Sequence, residues 1–64
     1  MKPHEQRVVD EKAELSERLE KLNDFISSSP IFEGLPEKDQ SLLVSQKFAM
    51  SEYEAILTER ISRF

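Results

Sequence analysis

The chain has 64 residues, no cysteine and a single histidine, so neither a disulfide framework nor a zinc site is expected. Its net charge of −4 is spread evenly: residues 1–26 carry 5 basic against 7 acidic groups and residues 27–64 carry 4 against 6, which leaves no basic face for long DNA or RNA. The longest apolar runs are three residues and no signal-peptide core follows Met1, so the expected setting is the cytoplasm, away from any membrane.

Residues 3–28 read as one helix. Pro3 suits the first turn, where a missing N–H costs nothing, and Glu5 favours the positive end of the helix dipole. Val8, Leu15 and Leu22 form one heptad column, and Lys12, Leu19 and Ile26 form its partner. Val9 and Phe25 broaden the stripe, and Lys12 is placed either to snorkel or to pair with an acid of a neighbouring chain. Glu14–Arg18 and Glu17–Lys21 are favourable (i, i+4) pairs on the outer side.

Residues 29–35 break the pattern. Ser29 and Pro30 read as the cap and first turn of a short helical piece that Gly34 ends. Ile31 and Phe32 are too apolar for a solvated loop, so both are expected to plug the closed end of a hairpin.

A second long helix is expected over residues 36–63. Leu43, Met50, Leu57 and Phe64 form its main apolar column, and the positions three residues after the first three hold Gln46, Tyr53 and Arg60. Both columns are expected to face the first helix. Leu42, Ala49 and Ile56 form a further column, and Val44, Phe48, Ala55 and Ile61 spread the apolar surface wider than one partner helix needs. The fold class is therefore all-α, one antiparallel helical hairpin over residues 1–64. Ordering such a chain costs about 1.5 kcal/mol per residue, which apolar burial in one hairpin only just offsets. A homo-oligomer is expected, with Leu42, Phe48, Ala49, Ile56, Leu57 and Ile61 in its interface.

No nucleophile–base constellation is present, so no catalytic residue, no cofactor and no metal are expected, and the protein reads as a binder rather than an enzyme. The column of Gln46, Tyr53 and Arg60 has two readings. Its members either pair internally and fix helix register, or offer a ring for stacking and a guanidinium fork for phosphate. In an antiparallel hairpin His4, Arg7 and Glu11 approach Tyr53, Arg60 and Phe64, which suits either a nucleotide or an Arg–Glu network.

The pattern Pro3-His4-x-x-Arg7-Val8-Val9-x-Glu11-Lys12-x-Glu14-Leu15 resembles the start of a family of very short phage and prophage proteins. The likeness continues through Phe25-Ile26, Phe32-x-x-Leu35, Leu42-Leu43-x-x-Gln46 and Met50-x-x-Tyr53 to Leu57-x-x-Arg60-Ile61-x-x-Phe64. In size, helicity and expected assembly the chain is similar to phage sponges that sequester the cyclic-nucleotide messengers of CBASS or Thoeris defence. That resemblance implies a counter-defence protein in the infected bacterial cytoplasm, with His4, Arg7, Gln46, Tyr53, Arg60 and Phe64 as ligand contacts. The rival readings are a module that binds a host or phage protein through its surplus apolar face, and a purely structural oligomer.

Overall fold

The computed structural model describes residues 1–64 and contains three helices: α1 (Pro3–Ser28), α2 (Pro30–Glu33) and α3 (Glu37–Ser62). The two long helices pack antiparallel along a rod of 46 × 15 × 13 Å. At the start of α1 the Lys2 backbone N–H donates to the Glu5 carboxylate at 2.9 Å, and Pro3 takes the first helical position. Pro36 immediately precedes α3, and Glu37 and Asp39 supply negative charge to its first turn.

The seam is thin. Val8, Leu15, Leu19 and Leu57 are buried, and Leu57 alone is fully so. Leu57 packs with Val8 and Leu15, and Met50 and Ile61 close round them. On α1 the side chains turned inward at Val8, Lys12, Leu15, Leu19, Leu22 and Ile26 follow the two expected heptad columns.

On α3 the outcome differs from expectation by one residue. Leu43, Met50 and Leu57 face α1, but their companions are Lys47, Glu54 and Ile61, four residues on, and not Gln46, Tyr53 and Arg60. Both spacings lie close to one turn of a 3.6-residue helix, so either column can border the first. The choice falls to the side chains. Ile61 adds apolar contact at the open end, and the Ser16 hydroxyl donates to the Glu54 carboxylate at 2.6 Å, which satisfies a half-buried charge in mid-seam. Phe64 falls beyond the end of α3 and is exposed, so it does not extend the apolar column.

The closed end is held by α2 and two polar ties. Ser29 caps α2, its hydroxyl accepting from the Ile31 N–H at 3.2 Å. The Gln40 amide donates to the Leu35 carbonyl at 2.9 Å and to the Glu33 carbonyl at 3.2 Å, which pins the turn onto the first turn of α3. Phe32 meets Phe25 edge to face, ring centroids 6.0 Å apart. Ile31, expected beside Phe32 in the plug, is instead 67% exposed, because consecutive residues of a single helical turn cannot both face the hairpin. Gly34 adopts right-handed helical backbone angles (φ −83°), and an added Cβ there would make only ordinary contacts with the Pro30 and Ile31 carbonyls.

Two outcomes test this arrangement. Leu57→Ala should cost ~2–5 kcal/mol in a thermal melt followed by circular dichroism, whereas Phe48→Ala, at a side chain 64% exposed, should shift the melt only slightly. Equal losses would contradict the seam. Gly34→Ala should hold or raise the melting temperature, by up to ~1 kcal/mol of stability, because it restricts only the unfolded chain. A clear drop would show that the turn needs a glycine.

Candidate functional site

The rows that border the seam define the surfaces on offer. Two right-handed helices running antiparallel expose, on one side of the pair, the residues that immediately precede the seam positions of each. On α1 these are Arg7, Glu11, Glu14, Arg18, Lys21 and Phe25. On α3 they are Leu42, Gln46, Ala49, Tyr53, Ile56 and Arg60. The expected polar column and the expected interface column of Leu42, Ala49 and Ile56 thus share one flank of the hairpin. All these side chains are exposed apart from Phe25, which is half-buried.

Leu57 and Ile61 do not belong to an outer interface. Leu57 is consumed by the intramolecular core and Ile61 packs against it. Phe48 lies away from this flank, where the Lys47 ammonium sits 5.4 Å from its ring centroid. Of the residues expected in an interface, Leu42, Ala49 and Ile56 remain exposed together on the flank, Leu42 at 54% and Ile56 at 52%.

The expected ligand residues separate into groups along the rod. With Ser16 bonded to Glu54, Arg7 comes level with Arg63, and Arg60 comes level with Asp10 and Glu11. His4, Arg7, Arg60 and Phe64 therefore gather at the open end, within about 9 Å along the axis at 1.5 Å per residue. Tyr53 lies about 10 Å further down α3 than Arg60, and Gln46 about 21 Å further. One hairpin does not bring all of them to a single small ligand. Nor does it enclose a pocket.

Arg7 and Arg60 take part in no ion pair, and the alternative Arg60–Glu11 bridge does not form. Gln46 makes one weak contact, its amide 3.8 Å from the Met50 sulfur. On α1 the Glu17–Lys21 pair closes at 3.3 Å, whereas the expected Glu14–Arg18 pair stays open. The open end therefore holds Arg7 and Arg60 outside any ion pair, with Asp10 and Glu11 level with Arg60 and an aromatic ring at the edge. The polar groups that do fix helix register are Ser16 and Glu54, which each look like outer-face residues in the sequence.

The sequence model of one family, Sequestin, matches residues 2–63. The chain belongs to the Sequestin family. Nearly every residue of the hairpin falls within the match, both long helices and His4, Arg7 and Arg60 included and Phe64 just outside it, and the family name is compatible with a sequestering role. No curated protein and no solved structure matches the chain significantly. No helix of this Sequestin member is long and apolar enough to cross a membrane.

The Ser16–Glu54 bond carries its own test. Ser16→Ala leaves a half-buried carboxylate without its donor, and stability should fall by about 1 kcal/mol once solvent screening is allowed for. Denaturant titration of Ser16→Ala against wild type measures this, and no change would show that water replaces the hydroxyl at no cost.

Proposed function

We propose that this Sequestin member is a phage-encoded counter-defence protein that homo-oligomerises and sequesters a cyclic nucleotide or a related nucleotide signal in the host cytoplasm, without catalysis. The observation that carries the ligand chemistry is the pair of uncommitted guanidiniums, Arg7 and Arg60, at an open end that also holds Phe64 and His4. Guanidinium forks match phosphate oxygens two at a time, and an exposed ring offers a face to a base. Family membership over residues 2–63 supports capture as the mode of action. A sequestering protein needs tight binding and no chemistry, which agrees with a site built from arginines and rings with no activated nucleophile among them.

Calorimetry against a set of cyclic di- and trinucleotides and ADP-ribose derivatives tests the proposal, followed by release of the bound ligand by heat and its identification by chromatography. The ligand should bind and return intact. Arg60→Ala should weaken binding ten- to hundredfold, the loss of one charge-assisted hydrogen bond of ~1.5–3 kcal/mol. The ligand-free melt of Arg60→Ala should stay within ~1 kcal/mol of wild type, because Arg60 is exposed, forms no ion pair and contributes only its place in the last turn of α3. Absence of binding across the set, or recovery of a cleaved ligand, would overturn the reading.

One observation favours the rival, a module that binds a protein. Phe48 is 64% exposed on the side of α3 away from the arginines, where it serves neither the core nor the open end. Loss of a protein partner on Phe48→Ala, with nucleotide binding absent, would favour that reading instead.

A further inference from the structure

The flank bearing the ligand residues has a second property, carried by its charges. Along the α1 row the order is Arg7, Glu11, Glu14, Arg18, Lys21, so two acids are followed by two bases at matched spacing. Turned end for end about a point level with Ser16, this row is complementary to itself. Glu14 then meets Arg18 of a second copy, Glu11 meets its Lys21, and each contact recurs by symmetry. Glu14 and Arg18 are the residues whose expected intrahelical pair stays open in the single hairpin. Because Ser16 is level with Glu54, the same axis passes level with Glu54 on α3, where Tyr53 meets Ile56 of the other copy in an apolar centre.

The surface area agrees. The chain exposes 4984 Å². A compact monomer of 7.5 kDa exposes about 4,250 Å², so this rod of 46 × 15 × 13 Å exposes about 700 Å² more and has room for the roughly 800 Å² that each partner contributes to a stable interface.

We infer that a second copy of this chain packs antiparallel on this flank, α1 against α1 and α3 against α3, about a two-fold axis level with Ser16 and Glu54. The pairing removes the difficulty with Gln46. Within one hairpin it lies about 21 Å along the axis from Arg60, too far to share a small ligand with it. Turned about the proposed axis, Gln46 of the second copy comes level with Ser62 of the first, between Arg60 and Phe64 and beside Arg7. Each end of the pair then forms a cleft in which one copy supplies His4, Arg7, Arg60 and Phe64 and the other supplies Gln46. The pairing stands on charge order, exposed area and apolar centre; the occupant of the clefts rests on the sequestration reading above.

Charge reversal tests the pairing. Glu14→Arg places like charges at both symmetry-related contacts, and so does Arg18→Glu. By sedimentation at micromolar concentration wild type should be at least dimeric, and each variant should associate roughly tenfold or more weakly while its helical circular dichroism is retained. An equimolar mixture of the two variants should recover the wild-type mass as a heteromer, because opposite charges then face each other again in both contacts. Repair within one helix cannot produce rescue on mixing. A monomeric wild type, single variants of unchanged mass, or failure of the mixture to associate would overturn the pairing. Cyclic di-AMP, titrated by calorimetry, separates the two claims. Association without binding of any nucleotide in the set removes the occupant and leaves the pairing, whereas binding of cyclic di-AMP by a monomeric wild type removes the pairing and leaves the occupant.

Discussion

The α1–α3 seam is one stripe wide, and most other features of the molecule follow from that. Two long helices lying side by side turn about a third of their circumference toward each other, so Leu57, Val8 and Leu15 gain a dry environment while residues one position earlier do not. Leu57 alone reaches complete burial. The apolar residues of α3 are more numerous than one stripe accommodates, and Leu42, Ala49 and Ile56 consequently lie in water with Tyr53 among them. A rod with so thin a core has little stability to spare, and the outer stripe is where more is to be gained.

The polar content of the seam is as informative as its leucines. Lys12 and Lys47 are half-buried at seam positions, and Glu54 has Ser16 to satisfy it. At the observed alignment Ser16 donates to the half-buried Glu54 carboxylate, so that bond favours this alignment together with the packing of Leu57 on Val8 and Leu15. That alignment is what sets Arg7 and Arg60 together at the open end.

The sequence made the helical hairpin legible because apolar spacing on α1 is unambiguous: Val8, Leu15, Leu22 and Lys12, Leu19, Ile26 admit one face only. On α3 it was less legible. From Leu43 the next inward position lies either three or four residues on, and Gln46, Tyr53 and Arg60 compete with Lys47, Glu54 and Ile61 on nearly equal terms, since each set holds one residue with an apolar body and two strongly polar ones. Ser16 on the other helix and the packing of Ile61 on Val8, Leu15 and Leu57 favour the second set, and no reading of α3 alone contains them. The same limit applies to the closed end. Gln40 looks like any solvated helical glutamine until the turn brings the Leu35 and Glu33 carbonyls within reach of its amide. Of the candidate site, the residue types were legible in the sequence, whereas the exposed flank on which Gln46, Tyr53 and Arg60 lie, and their spread along the rod, became measurable only once the register was known.

The hairpin also brings its first and last residues to one end. Any sequence continuing past Met1 or Phe64 would emerge beside Arg7 and Arg60 and compete with whatever those guanidiniums hold. The turn from Gly34 to Pro36 lies at the opposite end, about 39 Å away along a 26-residue helix, and faces solvent. An affinity tag, a fluorophore or a surface tether attached at that turn would leave the arginine end free, while the same group at either terminus would shade it.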